Sequence, residues 1–544
     1  MQQLSKLVLL ACFLLAASVT TTQAQFYVKE ERKLLDKADA AFDDGDYENA
    51  LRQYQSLLVS VPKHPYAVFK SGICYLNLSR PERGLASIKM ARELDPDASA
   101  QFYFWLGRAF HLNQKVDSAL YFYNRYKIMS GAQRNALTDQ ANVNIKQAEE
   151  YLKQRNSTDA QTFRLENMGG SINSAYTESN PLVSADGSFL VFTSRRPVAG
   201  EQPKYDGEYT SKIYYSNKLA NGRWGQAQLL TTQDVGSADY TSLQFLDNDN
   251  FVLIFKHGAA LDGKLLVSER FKGQLREPIN YTLGVSNSYL EVDAYFNKDI
   301  NRVFFTKFPK RAYLDIFSST KGKDGSWSSP VALGNDINNS SEDDMAPFIT
   351  NDQKEFFFCS RRSDGVGGSD IYRANYDATT GRFSNVRNAG LPYNSPGDEI
   401  NYYEINNKGQ RESYIAAERN SCFGKTDLFK LVKLEYVTIT GRAVGAGGKP
   451  LANMTMAVTH WDFDDCDYLI KTDANGNYRL VNVIAGTDYK VAFIKSEADR
   501  DTLGIEDMPV QNLSGRTNMT HNFEVIQKKF VVPAHENQPI DKKK

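Results

Sequence analysis

The chain has 544 residues, with 64 Lys and Arg against 65 Asp and Glu, and a formal net charge of −1. That balance supplies no basic field of the kind nucleic-acid binding requires, and the length allows about three or four domains. The five cysteines and six histidines are dispersed, so the pattern excludes a disulfide framework and offers no zinc-ligand spacing.

The first residues point to export. Lys6 precedes an apolar run from Leu7 to Ala17, and Thr22-Gln23-Ala24 forms a small-x-small cleavage site. Residues 1–24 therefore read as a secretory signal peptide, with the mature chain starting near Gln25. The run is too short to remain as a spanning anchor. Leu9-Leu10-Ala11-Cys12 matches a lipobox in letters, but apolar residues continue past Cys12, so its lipidation is not expected. Later apolar runs, such as Phe251 to Phe255, have strand length, and the mature chain is expected to be water-soluble with no transmembrane segment. Cys74, Cys359, Cys422 and Cys466 fall in separate parts of it.

Residues 30–154 are periodic as helices and repeat every 34 or 35 residues. Ala38, Gly72 and Gly107 match in place, as do Ala50, Gly84 and Ala119, with Tyr54, Ile88 and Tyr123 four residues further on. Pro62 and Pro96 close the first two units. Small residues let paired helices approach, and the larger residue fills the gap between units. The pattern resembles the tetratricopeptide repeat, with residues 132–154 as a polar capping helix. The resemblance implies a groove for a protein partner. By register its lining includes Asp39, Phe42, Tyr66, Phe69, Phe104, Arg108 and His111, although any one of these aromatics also reads as core.

Residues 155–162 are polar and read as a linker. The period then changes to two. One unit runs Asn180-Pro181-Leu182-Val183-Ser184-Ala185-Asp186-Gly187 and then Phe189 to Arg196. Another runs Ala346 to Asp352 and then Phe356 to Arg362, and weaker copies begin near Leu243, Ala294 and Tyr402. Each has a strand, a turn and a second strand, with a third strand in segments such as Asp370-Ile371-Tyr372 and Asp427-Leu428-Phe429. Residues 163–433 thus resemble a five-bladed, TolB-like and WD40-related β-propeller. The fifth unit lacks a fourth strand, and Phe163-Arg164-Leu165 is a spare one whose pairing there would remove exposed edges.

One acidic residue recurs at the entry of each innermost strand: Glu178, Asp239, Glu291, Asp344 and Glu399. Together they would ring one mouth of the channel. Either they bind a cation or a basic group of a partner, or each accepts backbone N–H bonds within its own repeat. Peptidases built on propellers need an α/β-hydrolase domain with a G-x-S-x-G elbow, and that pentapeptide is missing here.

Residues 437–526 form a third domain. Val437 to Val444, Lys449 to Asn453 and the turn Thr472-Asp473-Ala474-Asn475-Gly476-Asn477-Tyr478 resemble the carboxypeptidase regulatory-like domain, a transthyretin-like β-sandwich without a catalytic zinc site. Asp473 and Gly476 are expected to make a hairpin turn, with Tyr478 starting the returning strand. Asp462, Asp464, Asp465 and Asp467 cluster in a loop that lacks the glycine and terminal Glu of an EF-hand. Residues 527–544 read as a flexible tail.

Signal peptide, helical repeats, propeller and regulatory-like sandwich, in that order, resemble envelope proteins of the Bacteroidetes, among them type IX secretion components. The resemblance implies a non-catalytic periplasmic scaffold at the outer membrane, serving secretion or gliding machinery, with protein partners and no cofactor. That family usually ends in an OmpA-like, peptidoglycan-gripping domain, whereas this chain stops after the sandwich. The rival reading is a glycan-binding or carbohydrate-handling propeller. A hydrolase among these would need paired carboxylates across a cleft, and the recurring acids show no acid/base asymmetry.

Overall fold

The computed structural model describes residues 30–525, apart from 96–98, 132–134, 205, 258–262, 286–292, 308–312, 339–341, 461–465, 495–501 and 511–516. The expected signal peptide with Cys12, Pro96, Glu291, most of the 462–467 acidic cluster and the expected tail lie outside the described residues. The chain divides into two compact units between Val432 and Lys433.

The first unit begins with seven helices: α1 (30–43), α2 (Tyr47–Ser60), α3 (Pro65–Asn77), α4 (Pro81–Leu94), α5 (Gln101–Leu112), α6 (Val116–Ser130) and α7 (Ala136–Gln154). Their starts follow from local chemistry. Asp46 accepts from Asn49 N at 3.1 Å, and Asn135 accepts from Thr138 N at 3.0 Å. Pro65 and Pro81 occupy first-turn positions where a missing N–H costs nothing. Small residues set the pairing distance. A Cβ on Gly72 would meet Ile88 Cγ1 at 2.6 Å and Gly84 O at 3.2 Å, and one on Gly107 would meet the Tyr123 ring at 2.5 Å. Tyr54, Ile88 and Tyr123, the recurring large residues, are fully buried between helices. The span 155–162, expected as a linker, contains a one-turn helix α8 (Thr158–Thr162) capped by Ser157.

Antiparallel sheets follow. The first has β2 (Glu178–Val183), β3 (Phe189–Ser194), β4 (Lys212–Asn217) and β5 (Gln228–Leu229). The second has β6 (Tyr240–Leu246), β7 (Phe251–Lys256), β8 (Lys264–Phe271), β9 (Gln274–Leu275) and β10 (Ile279–Asn280). The third has β11 (Ala294–Phe296), β12 (Arg302–Lys307), β13 (Asp315–Thr320) and β14 (Val331–Ala332). The fourth has β15 (Asp344–Ile349), β16 (Glu355–Ser360), β17 (Asp370–Asp377) and β18 (Arg382–Asn388). The fifth has β19 (Glu399–Asn407), β20 (Gln410–Ala417) and β21 (Asp427–Lys433), and its fourth strand is β1 (Phe163–Asn167) from before the first sheet.

The first strands β2, β6, β11, β15 and β19 touch in that order, and β19 returns to β2. Each neighbouring pair of sheets shares an apolar layer. Phe357 and Ile371 of the fourth sheet meet Ile415 and Phe429 of the fifth, while Phe356 and Phe358 face Phe304 and Ile316 of the third. Both faces of a sheet are covered, which is why Phe356-Phe357-Phe358 is continuous rather than alternating. Asn173 fastens the junction of first and last sheets, its side chain accepting from Leu428 N at 2.9 Å and donating to Leu428 O at 3.0 Å. Asn338 and Asn394 make the same two bonds to Ile316 and Ile371.

The second unit has β22 (Tyr436–Gly445), β23 (Thr455–His460), β24 (Cys466–Lys471), β25 (Asn477–Ile484), β26 (Thr487–Ile494), β27 (Thr502–Val510), β28 (Asn518–Thr520) and β29 (Phe523–Val525). One sheet joins β25, β22, β28 and β29, the other runs β24-β23-β26-β27, and Ile439, Leu480, Met456, Val491, Phe493 and Phe523 fill one shared core. The turn at Asp473 differs from the expected hairpin, because β24 and β25 belong to different sheets. Asp473 Oδ1 accepts from the N–H groups of Asn475 and Asn477, each at 2.8 Å, and Gly476 takes φ +81° as the chain passes from one sheet to the other.

Candidate interaction surface and the acidic positions

Helices α1 and α3 present a mixed polar and aromatic patch. The Asp39 carboxylate accepts from the hydroxyls of Tyr54 and Tyr66, the latter at 2.9 Å. The Lys70 ammonium lies 3.7 Å from the Phe42 ring centroid and 5.6 Å from that of Tyr66. Tyr66 is 41% exposed, and Phe42 is half-buried. Burial and Asp39 together hold the Tyr54 and Tyr66 hydroxyls in their protonated, donating form.

Three residues expected to line the groove lie beneath the surface instead. Phe69 stacks on Phe102 with ring centroids 3.9 Å apart, and Phe104 packs edge-on against Tyr126. His111 is fully enclosed beside Tyr123, and burial, reinforced by Arg108, lowers its pKa to about 3. Adjacent helices cover these side chains, so none is available to a partner. Burial, reinforced by Asp398, raises the carboxyl of Glu418, in the β20–β21 connection, to about 7, and Ser79 and the half-buried Arg108 oppose that rise. The repeats and the sheets also meet where Gln147 Nε2 donates to Gly367 O.

Three recurring acids are fully buried, and each is held by its own sheet. Glu178 accepts from Ser174 N at 2.9 Å, Ser174 Oγ at 2.6 Å and Ser194 Oγ at 2.7 Å, with Arg196 at 3.0 Å. Glu399 repeats the arrangement with Ser395 N at 3.0 Å, Ser395 Oγ at 2.6 Å and Arg419 at 3.1 Å. Asp344 is buried beside Arg362 at 3.4 Å. Burial raises the pKa of Glu178 and Glu399, and the adjacent arginine opposes that rise. Asp239 is more open. Burial pushes it up, but Lys204 at 2.7 Å and Ser211 N at 2.7 Å more than reverse this, and it ends below the ordinary range. Among the described residues, no group of three or more His, Cys, Asp or Glu is placed to hold a metal ion.

The acids line up in the sequence, whereas the role of their arginines emerges only from the fold. The signal was present: Arg196 and Arg362 end the repeated Ser-Arg-Arg segments, and Arg419 stands at the matching place. Asp370, a fully buried residue at the start of β17, likewise emerges from the fold. Burial, reinforced by Asp398, raises its carboxyl to about 7. Cys74 and Cys359 are buried free thiols, and Cys422 is a half-buried one. No helix among the described residues is long and apolar enough to cross a membrane, which says nothing of a β-barrel.

A tetratricopeptide-repeat family model matches residues 35–99 and 91–134. No curated protein matches the chain. The tetratricopeptide domain of Sgt2 from Aspergillus fumigatus is similar at 18% identity, covering 23% of this chain and 82% of that one, with a TM-score of 0.21. The Yersinia enterocolitica type III secretion chaperone SycD, solved with a peptide of the translocator YopD, is similar at 15% identity over 22% of this chain and 92% of that one, with a TM-score of 0.21. An endo-arabinase from Bacteroides thetaiotaomicron is similar at 16% identity over 49% of this chain and 96% of that one, with a TM-score of 0.34. The helices at the N-terminal end therefore form tetratricopeptide repeats, a module of protein–protein interaction, followed by a region of many antiparallel sheets.

Proposed function

We propose that this protein is an exported, non-catalytic scaffold that holds other envelope proteins together. It works in the periplasm at the outer membrane, within secretion or gliding machinery of the type IX kind, as its resemblance to the secretion component PorE, without that protein's OmpA-like C-terminal domain, implies. In this reading residues 163–433 are a five-bladed propeller and residues 437–526 a regulatory-like sandwich, both serving as rigid platforms. The observation that carries the reading is the patch of Asp39, Phe42, Tyr66 and Lys70, which lies on the tetratricopeptide repeats with an exposed aromatic ring and a lysine. The Lys6 to Ala24 segment supports export.

Affinity purification from envelopes, followed by mass spectrometry, tests this directly. Tyr66→Ala with Lys70→Ala should remove one or more envelope proteins from the wild-type set while the circular dichroism melt stays cooperative, since neither side chain belongs to the buried core. An unchanged protein set from a chain lacking residues 30–154 would count against the reading.

A further inference from the structure

The first strands of the five sheets line a small, half-open cavity of about 40 Å³. Its wall is built from equivalent places in the five repeats, among them Asn180, Ser242, Asp293, Ala346 and Asn401. Most of its polar groups are already engaged. Asn401 Oδ1 accepts from Asn180 N at 3.0 Å, and Ser242 Oγ donates to Asn180 O at 2.9 Å.

Asp293 is the exception. Among the described residues it is the one acidic residue in the cavity wall, and none of those residues is a Lys or Arg. Among the described residues, the donor to its carboxylate is Asn180 Nδ2, at 3.3 Å. The contrast with Glu178, Asp344 and Glu399 is sharp, since each of those buried carboxylates has an arginine within 3.4 Å. Asp293 is half-buried, and a partly desolvated carboxylate with no positive partner among the described residues is relieved by taking up a proton or a cation. The space suits an ion with a water or two, and the wall offers oxygen ligands of the kind hard cations take.

We propose that this axial cavity is a site for a hard, oxygen-ligated metal cation, with Asp293 supplying the charge. The inference does not depend on which proteins the repeats bind. Tyr295, Tyr402 and Tyr403 line the same cavity, so a bound terbium ion would be sensitised by tyrosine absorption. In the full-length protein, tyrosine-excited terbium luminescence should appear, and calcium should displace it. Asp293→Asn should abolish that calcium-sensitive component, and Asp293→Glu should retain part of it. In chelator, Asp293→Asn should melt at or above the wild-type temperature, and added calcium should stabilise wild type but not this variant. Equal calcium-sensitive luminescence in wild type and Asp293→Asn would overturn the site. So would a wild-type protein showing neither luminescence nor a melting shift with calcium, sodium or potassium. A variant that melts lower than wild type in chelator, with its calcium response intact, would mark Asp293 as purely structural and overturn it equally.

Discussion

An arginine two residues beyond the cross-strand partner of an acidic position determines what that carboxylate does. Glu178 faces Ser194, Asp344 faces Ser360 and Glu399 faces Ala417, and the chain then reaches Arg196, Arg362 and Arg419. Stranding one member of such a buried pair costs about 3–5 kcal/mol, so these arginines lock the entry of each first strand. Glu178, Asp344 and Glu399 were legible in the sequence because each opens its first strand, whereas Asp239 falls one residue short of the matching place, which Tyr240 takes at the start of β6. The pairing was not, because it depends on strand register, and that register shifts at a bulge between Ser179 and Leu182 and again between Met345 and Phe348. Asp370 shows what a buried acid does without an arginine. Its Oδ2 accepts from Val366 N at 2.6 Å and Asn388 Nδ2 at 3.0 Å, while its Oδ1 is buried without a hydrogen-bond partner. Its pKa is about 7 in the folded protein against an ordinary 3.8, so between these values the folded chain holds a proton that the unfolded chain has released. That contribution to stability is fully present below about pH 4 and is lost as pH rises through about 7. Asp370→Asn keeps an acceptor oxygen and cannot ionise. Its melting temperature relative to wild type should therefore rise between pH 5 and pH 8, as a thermal-shift series would record. A flat difference across that range would show that Asp370 does not titrate there.

At the scale of elements, the helical repeats were the most legible part because their packing tolerates so few residue types. Gly72 and Gly84 stand at the crossing of α3 and α4, and Gly107 stands against Tyr123 between α5 and α6. A methyl group added at Gly72 would press on the Gly84 carbonyl as well as on Ile88. Backbone yields less readily than a flexible side chain. Gly72→Ala should therefore destabilise the helical segment by roughly 1–3 kcal/mol in urea unfolding followed by far-ultraviolet circular dichroism, even though alanine has the higher helix propensity. A stabilised variant would mean that α3 and α4 can separate at no cost. Burial depth was less legible than face. Helical periodicity put Phe69, Phe104 and His111 on one side of their helices, but it could not show how much the neighbouring turns cover them. Tyr123, which stands beside His111, also accepts a bond from Asn144 Nδ2 of α7 at 3.2 Å, and that contact joins residues 21 positions apart. The closing strand was easier to foresee. A fifth unit short of a strand and a spare strand before the first unit have one economical solution, and β1 lies beside β21.

At the scale of the whole molecule, the repeats and the circle of sheets belong to one compact unit, and residues from Lys433 onward form another. The second unit was legible in its strands but not in their partition between sheets. Asp473 to Tyr478 has the letters of a hairpin turn, and whether such a turn returns to the same sheet is decided by the core it crosses. Here Tyr478 and Leu480 of β25 and Met456 and Val458 of β23 bury against one another from different sheets. That core is complete within residues 437–525, with Ile439, Met456, Val458, Val491 and Phe493 at most 1% exposed. A segment with its own closed core of this size can fold alone. Residues 434–526 expressed alone should therefore give a cooperative thermal transition and a β-type circular dichroism spectrum. Gly476 supplies a sensitive handle. It sits at φ +81°, and a Cβ there would lie 2.5 Å from Ala443 O of β22. Gly476→Ala in the isolated segment should lower its stability by roughly 1–3 kcal/mol through backbone strain and that contact. A non-cooperative melt for the unsubstituted segment, or an alanine variant as stable as it, would show that the two sheets do not enclose an independent core around this turn.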